Sequence, residues 1–335
     1  MMRAASRKKS SASPPERSVA SPRKHIVIVG AGAMGTLFAA LLSKSRRAEV
    51  TLVAKNNYAP PSSGRDGVTV SGKTRLQIPA GKIKIVSSFP SSPKAKTSPA
   101  DVAVILVKSS DTRSAATALL PFVDGKTVVV TFQNGLGNVE AVKEILDPAR
   151  PAAVLSGATT HGARIRFPRV VEHTGNGETL IAYDSAQEKK YALVAARILA
   201  SSGLATRPRK DSASILWSKL VVNAAINPVG AVFSQTNGEI LKNDFALKIA
   251  LSAAFEAASV ARALGIKLLY PSAENKVKSV LAATSSNRNS MLQDVSAGRP
   301  TEIEAINGSV IRAARRVGVK TPYNRVLYSS VKICL

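Results

Sequence analysis

The sequence contains little cysteine, little histidine and few aromatic side chains. Its 335 residues include one cysteine, Cys334, and three histidines, and aromatic residues make up 4%. One cysteine cannot close an internal disulfide, so the chain is not a disulfide-stabilised scaffold and is typical of a reducing compartment. The histidines and the cysteine are too few and too scattered for a zinc or iron–sulfur site, so we expect no metal.

Long hydrophobic runs are also missing. The longest uncharged apolar stretch, residues 26–42, has 17 residues and contains three glycines, whereas a membrane-spanning helix needs about 20. We therefore expect a soluble, cytoplasmic protein with no membrane partner. Because 45% of the residues are hydrophobic and 20% are charged, the chain can bury a core, and its length is typical of two domains.

Acidic residues are scarce relative to basic ones, 21 against 47, and the net charge is +26. Residues 1–24 carry +6 of it and are rich in serine, which predicts a disordered basic tail; organellar import through this segment stays open. The remaining +20 attracts anions such as phosphorylated cofactors, acidic metabolites and nucleic acid. No basic stretch is interleaved with aromatic residues, so we do not expect nucleic acid to be the main partner.

Short apolar runs alternate with helical patterns between residues 25 and 209. This alternation predicts an α/β fold, with a Rossmann-type, doubly wound parallel sheet. The runs predict strands over residues 26–29, 49–54, 101–107, 127–132 and from 152 to 155, and helices through residue 42, over 111–120 and over 138–146. Residues 56–100 mix β-like pieces, such as 68–70, with Ser/Pro/Gly clusters and give no clear prediction.

Strand signals end near residue 210, which predicts an all-helical second domain over residues 210–335. The periodicity predicts helices over residues 212–225, 244–264, 273–283 and 301–317. Pro228 lies just beyond the predicted end of the first helix, and we expect it to prevent the helix from continuing. Thr301 and Glu304 have the spacing of a capping box at the start of the last helix.

A glycine-rich loop between the first strand and the first helix predicts a dinucleotide site. The residues Gly30, Ala31, Gly32, Ala33, Met34 and Gly35 form the pattern G-x-G-x-x-G. In this context the glycines permit a tight turn, a close approach to a diphosphate and close packing of helix on strand. The amides at the helix N-terminus then face the diphosphate.

The end of the second strand favours NADP over NAD. An acidic residue at this position would bind the ribose hydroxyls of NAD. The sequence has Ala54-Lys55-Asn56 instead, and a cation next to an amide suits a 2′-phosphate. Lys108 follows the strand at 101–107, and Asn134 follows the strand at 127–132, so both are expected at the same edge of the sheet.

A polar stripe on an otherwise apolar helix predicts a lined cleft in the second domain. Lys219, Asn223 and Asn227 recur at i, i+4 and i+8 in the helix that begins at residue 212. Burying an unpaired polar group costs on the order of 1–3 kcal/mol, so such a stripe indicates a polar cavity. Further polar residues stand at 287–290 and 301–302.

These motifs together resemble the ketopantoate reductase (2-dehydropantoate 2-reductase) family, within the 6-phosphogluconate-dehydrogenase-like enzymes. The resemblance covers residues 25 to about 324. The matching pieces, in order, are Gly30 to Gly35, Val107-Lys108-Ser109, Gln133-Asn134-Gly135-Leu136-Gly137-Asn138, Trp217-Ser218-Lys219 with Asn223 and Asn227-Pro228, Ser290-Met291-Leu292-Gln293-Asp294, Gly298-Arg299-Pro300-Thr301-Glu302-Ile303 and Ile306-Asn307-Gly308. Asn289 departs from the serine that is usual in the family.

The resemblance implies NADPH-dependent reduction of ketopantoate to pantoate, on the route to pantothenate and coenzyme A. It implies that Lys219 is the general acid and that Glu302 binds substrate and supports catalysis. It assigns substrate binding to Asn223 and Asn227, and also to Asn237, Asn287 and Ser290. The cofactor positions that it implies are Gly30, Ala31, Gly32, Ala33, Met34, Gly35, Lys55, Lys108 and Asn134.

Two other functions stay open at this point. The chain could reduce another small 2-oxo acid with NADP, or it could sense a dinucleotide without turnover, although the presence of both Lys219 and Glu302 argues against a sensor. The sequence does not determine the oligomeric state, and a homodimer stays open.

Overall fold

The computed structural model describes residues 23–55, 67–87 and 97–334. Of the predicted basic tail, only Arg23 and Lys24 fall within these ranges, and Lys24 begins the first strand. Asn56, which the cofactor prediction used, lies outside the described residues, as do residues 57–66 and 88–96 of the stretch without a clear prediction.

Twelve strands form two sheets within the described residues. They are β1 (Lys24–Val29), β2 (Ala48–Ala54), β3 (Val68–Gly72), β4 (Leu76–Ile78), β5 (Ile83–Ser87), β6 (Val102–Ile105), β7 (Val128–Thr131), β8 (Ala153–Thr159), β9 (Gly162–Phe167), β10 (Val170–Gly175), β11 (Thr179–Tyr183) and β12 (Thr206–Lys210). The large sheet has the order β12-β11-β8-β7-β6-β1-β2-β5. Its neighbouring strands are parallel except for β8 and β11.

Four helices accompany these strands: α1 (Ala33–Ser43), α2 (Thr112–Leu119), α3 (Asn138–Leu146) and α4 (Ala186–Ser201). Residues 26–29 are buried on both faces of the sheet, which explains their unbroken apolar run. The predicted parallel sheet is thus confirmed. The strand β1 lies between β6 and β2. The chain therefore forms β2 on one side of β1 and later forms β6 on its other side. A crevice opens at the carboxyl end of β1, where the strand order reverses.

A second, four-stranded sheet was not predicted. Its order is β4-β3-β10-β9, and it packs on α1, where Val70 and Val171 share one hydrophobic core with Leu37 and Phe38. The edge strand β9 alternates apolar and cationic residues from Ala163 to Phe167. That alternation is a strand signal of period two, which an analysis of long apolar runs does not detect.

The remaining elements are helical, as predicted. They are α5 (Ser212–Phe233), α6 (Asn237–Lys242), α7 (Asp244–Ala263), α8 (Ala273–Ala283), α9 (Ser290–Ser296), a π-helical turn (Glu304–Gly308), α10 (Ser309–Arg316) and α11 (Pro322–Ile333). Helix α5 forms the centre of their core and packs against α7, α9 and α11. By length and composition α5 could also cross a membrane, but 72% of its most apolar stretch is buried in the protein, as expected of a core helix.

The expectation that Pro228 breaks the first helix of this part is wrong, because α5 continues through it to Phe233. A proline inside a helix removes the amide that would bond to the carbonyl four residues earlier. That carbonyl belongs to Ala224, and the side-chain amide of Asn307 donates to it instead at 3.0 Å. A substitute donor from the last third of the chain therefore keeps the helix continuous.

The expected capping box at Thr301 and Glu304 is also wrong. The Thr301 hydroxyl accepts a long bond of 3.4 Å from the amide of Ile303. The carboxylate of Glu304 bonds instead to Arg312 and Tyr328. These partners draw Glu304 outward, and the chain forms a π-helical turn before α10 starts at Ser309.

Candidate active site

The glycine loop after β1 has the geometry that a dinucleotide needs. Gly30 has a φ of +113°, and a Cβ there would lie 2.6 Å from the carbonyl oxygen of Leu106. A Cβ at Gly35 would overlap the carbonyl oxygen of Gly30, so α1 packs directly on the strand. Gly32 caps α1 and has open space where a Cβ would stand. The loop therefore leaves backbone amides accessible at a helix N-terminus, which suits a diphosphate.

Lys55 lies at the end of the strand next to β1 and forms an ion pair. It follows β2 directly, and its Nζ donates to Oδ2 of Asp111 at 2.8 Å. Asp111 ends the short 3₁₀ turn, Ser109–Asp111, that follows β6. Residues 54–56 contain no carboxylate. The structure brings one from a strand two positions away.

Lys108 and Asn134 both lie at the carboxyl edge of the sheet, as predicted. Both reach across to the helical part of the chain. The Nζ of Lys108 donates to the carbonyl oxygen of Pro300 at 2.6 Å and pairs with Oδ1 of Asp294 at 2.7 Å. The Nδ2 of Asn134 donates to Oε2 of Glu302 at 2.7 Å.

Glu302 lies where the helical part of the chain contacts the carboxyl edge of the sheet. Besides Asn134, the hydroxyl of Ser109 approaches its Oε1 at 3.4 Å. Burial raises the pKa of Glu302, and the Asn134 hydrogen bond and the charge of Lys219 oppose this shift. The carboxylate is thus held by donors from the sheet, although Glu302 itself precedes the π-helical turn.

Lys219 projects from α5 toward the same place. Its Nζ donates to the carbonyl oxygen of Thr159, the last residue of β8, at 2.9 Å. Burial lowers the pKa of Lys219 to about 8, and the carboxylate of Glu302 works against that shift. An ammonium group with this pKa donates a proton far more readily than an exposed lysine near neutral pH.

The rest of the polar stripe continues along α5. Asn223 is partly buried and Asn227 is buried. Within the described residues neither side-chain amide has a hydrogen-bonding partner. Two free amides one helical turn apart, in line with Lys219, can bind a small anion or carbonyl group.

The three less specific substrate positions have a different setting. The Nδ2 of Asn237 donates to Thr284 at 2.7 Å, and its backbone amide bonds to the carbonyl of Asn287 at 3.0 Å. The Oδ1 of Asn237 is buried, and no partner for it lies in the described part of the chain. Ser290 is exposed at the start of α9, where Asn289 caps the helix through the amide of Leu292. Asn237 and Asn287 are therefore joined through their backbones, and within the described residues neither side chain bonds to Lys219 or Glu302.

Sequence reasoning missed four groups at the site: Ser109, Asp111, Asp294 and the carbonyl of Thr159. Ser109 and Asp111 follow Lys108 so closely that the strand-end rule could have included them. Asp294 lies in a motif that the resemblance quoted, without a role. A backbone carbonyl has no sequence signal.

A doubly wound sheet with this glycine loop, joined to a helical part through polar residues, defines the class of dinucleotide-binding oxidoreductases. Among the described residues no group of three or more His, Cys, Asp and Glu side chains could hold a metal ion.

Comparison with known proteins narrows this class. Residues 26–185 match the family model "Ketopantoate reductase PanE/ApbA", and residues 211–334 match its C-terminal counterpart. The chain is 34% identical to a 2-dehydropantoate 2-reductase of Pyrococcus horikoshii, covering 92% of this chain and 96% of that one. It is 35% identical to one of Halobacterium salinarum, covering 92% and 98%. The chain belongs to the ketopantoate reductase family.

Solved structures agree on the fold. A PanE/ApbA family ketopantoate reductase from Ralstonia eutropha JMP134 matches with a TM-score of 0.79 at 25% identity, over 92% of this chain and 98% of that one. A D-mandelate dehydrogenase solved with NADH and anilino(oxo)acetate matches with a TM-score of 0.80 at 24% identity, over 92% and 97%.

Proposed function

We propose that this protein catalyses the NADPH-dependent reduction of ketopantoate to pantoate, a step toward pantothenate and coenzyme A. The observation that carries the proposal is that the sheet holds both groups: Glu302 accepts a hydrogen bond from Asn134 at 2.7 Å, and the ammonium of Lys219 donates to the carbonyl at the end of β8 at 2.9 Å. Membership of the ketopantoate reductase family supports it.

In this proposal Lys219 donates a proton to the carbonyl oxygen of the substrate. NADPH supplies the hydride when it is bound. The oxygen gains negative charge as the carbon is reduced, so a nearby ammonium both stabilises that charge and neutralises it. With a pKa of about 8, Lys219 is largely protonated at neutral pH and yet gives up its proton readily.

Glu302 keeps Lys219 charged and helps to bind the substrate. Its hydrogen bond from Asn134 fixes the carboxylate at the edge of the sheet. Because Asn134 also belongs to the cofactor side of the cleft, this contact relates the positions of substrate and cofactor. The substrate carboxylate is bound by the free amides of Asn223 and Asn227, with Asn237, Asn287 and Ser290 as further contacts.

The cofactor is held by the loop from Gly30 to Gly35, including Ala31, Ala33 and Met34. Lys108 and Asn134 would lie where cofactor and substrate meet, and Lys55 would bind the 2′-phosphate. The fit of the loop rests on the exposed amides and on the open space at Gly32.

A second candidate is the reduction of a different small 2-oxo acid. It is favoured by the structural match to a D-mandelate dehydrogenase and by Asn289, which stands where the family usually has serine. Asn289 is buried, and its Nδ2 donates to the carbonyl of Ile226 next to Asn227, so a change there alters the wall of the polar stripe. A sensor without turnover has no use for the Lys219–Glu302 pair.

The test is steady-state oxidation of NADPH by the purified protein with ketopantoate and a panel of 2-oxo acids. The highest kcat/KM is expected with ketopantoate. A clear preference for an aromatic 2-oxo acid would favour the second candidate, and no turnover with any substrate would refute both.

We propose that the enzyme binds a small 2-oxo acid as its substrate. We do not expect a nucleic acid or a membrane to be its partner. We propose a cytoplasmic enzyme on the basis of the unpaired cysteine at 334, to be checked by subcellular fractionation.

A further inference from the structure

The ion pair between Lys55 and Asp111 spans the crevice above the glycine loop. Lys55 follows β2 and Asp111 follows β6, and these strands lie on opposite sides of β1. The two side chains therefore meet, at 2.8 Å, over the loop that leaves β1. Lys55 is 65% exposed and Asp111 is 31% exposed, so both groups remain accessible to a ligand from this side.

Within the described residues the carboxylate of Asp111 bonds to Lys55 and does not cap a helix. It stands at the N-cap position of α2, where an aspartate ordinarily accepts a hydrogen bond from a helix amide. Here the carboxylate makes no such bond and turns to Lys55 instead. Asp111 contacts α2 through its backbone carbonyl, which accepts a hydrogen bond from the hydroxyl of Ser114.

A carboxylate at this edge favours one nucleotide over the other. In doubly wound folds an acidic side chain accepts a hydrogen bond from the ribose 2′-hydroxyl of NAD, and a cation binds the 2′-phosphate of NADP. This chain presents both groups, paired with each other. A 2′-phosphate would have to take Lys55 away from Asp111 and lie next to the negative carboxylate, whereas a 2′-hydroxyl could donate to Asp111 and leave the pair intact.

We propose that Asp111 is a nucleotide-specificity residue that lets NADH bind in place of NADPH. It offsets part of the preference for NADPH that Lys55 creates, so NADH binds within about tenfold of NADPH and can replace it. This inference rests on the proposed function only in requiring that the glycine loop binds a dinucleotide.

The expected effect follows from the charges. A phosphate near pH 7 carries between one and two negative charges, and at a solvated site each unit of repulsion at close range changes an affinity roughly fivefold. Removing the charge of Asp111 should therefore tighten NADPH binding by about tenfold. The same change removes a charged acceptor for a hydroxyl and should weaken NADH binding several-fold.

The experiment measures the dissociation constants of NADPH and NADH for the full-length protein by fluorescence titration, without substrate. The variants are Asp111→Asn, Asp111→Ser and Lys55→Ala. The matched control is Asp147→Asn, which removes the same charge from an exposed residue that follows α3. Thermal melting shows that each variant is folded, and the serine variant serves if the asparagine variant is not.

The wild-type constants are expected to lie within about tenfold of each other. Both Asp111 variants should shift the ratio toward NADPH by about tenfold or more, Lys55→Ala should shift it toward NADH, and the control should leave it unchanged. A wild-type preference for NADPH above about 100-fold, or a ratio that Asp111 variants do not change, would overturn the inference. Because no 2-oxo acid is present, failure of the proposed substrate would appear only in the turnover assay.

Discussion

At the scale of single residues, Lys219 is held between two opposing effects. Burial favours its neutral form and the nearby Glu302 favours its charged form, and the result is a pKa of about 8. Thr159 accepts one of its hydrogens through a backbone carbonyl, which can hold the ammonium but cannot take its proton. This contact therefore leaves the proton on Lys219, where it is available to a bound substrate.

The pH dependence of the reaction should report this balance. An acid must be protonated to donate, so kcat/KM is expected to fall as the pH rises through about 8. Glu302→Gln removes the charge that supports the ammonium, so the fall should move to lower pH and the rate should drop. The measurement is a profile of kcat/KM between pH 6 and 10.

The control for this prediction is Glu274→Gln, which removes an exposed carboxylate paired with Lys278 on α8. It should leave the profile unchanged. The losses from Lys219→Ala and Glu302→Gln should also be far from additive in the double variant, because the two residues act as a unit. An unmoved alkaline limb together with additive losses would show that they work independently.

Much of this site could be predicted at the residue scale. Lys219, Asn223 and Asn227 were found because a polar stripe on a buried helix is unusual. The pairing of Asp111 with Lys55 was missed because the two residues are 56 positions apart in the sequence. Contacts between strand ends that are not adjacent in the chain depend on strand order, which local pattern does not specify.

At the scale of secondary-structure elements, α5 is maintained by side chains distant from it in sequence. Asn307 supplies the donor that Pro228 lacks, and it also donates to Asn324 on α11 at 3.0 Å. Asn324 in turn bonds to Glu256 on α7. This buried chain of amides ties three helices together, which explains why a proline is tolerated next to the functional stripe.

A double-mutant cycle tests the link between Pro228 and Asn307. Asn307→Leu should lower the free energy of unfolding by about 1–3 kcal/mol, since the carbonyl of Ala224 loses its donor. In a Pro228→Ala background the residue at 228 has its own amide, so the cost should be smaller by about 1 kcal/mol. Urea unfolding measures both values, and equal costs in the two backgrounds would contradict the account.

The elements differ in how well the sequence predicts them. Helices α3 and α8 have the predicted bounds. A glycine with positive φ, Gly137, precedes α3, and the side chain of Ser272 caps α8. The strands β9 to β12 were missed. β9, β10 and β12 are partly exposed and lack the apolar runs of the central sheet, whereas β11 is largely buried but only five residues long. The boundary that we propose between the two domains, at residues 209 and 210, falls at the end of β12, just before Asp211 caps α5.

At the scale of the whole molecule, polar contacts join the sheet to the helices on one side of the cleft. Lys108 with Asp294 and Asn134 with Glu302 cross from one part to the other, and the amide of Leu136 bonds to the carbonyl of Ala305 at 3.3 Å. These contacts fix Glu302 relative to the sheet. They explain how residues 168 positions apart come to share one site.

The net charge of +26 should assist the proposed reaction, because the proposed substrate and cofactor are both anions. A positive field raises the rate of encounter with anionic substrates, and salt screens it. We expect kcat/KM for the 2-oxo acid to fall severalfold between about 0.05 and 0.5 M NaCl while kcat changes little. An increase of kcat/KM with salt would show that the field does not guide the substrate.

The proposed reaction depends on Lys219 as the source of the proton for carbonyl reduction. It is tested most directly by comparing Lys219→Ala with Lys276→Ala, which truncates an exposed lysine on α8. Turnover with ketopantoate and the dissociation constant of NADPH are measured for both variants. Lys219→Ala should lower kcat by about 100-fold or more with nearly unchanged NADPH binding, and Lys276→Ala should match the wild type. Near-wild-type turnover in Lys219→Ala would contradict the account.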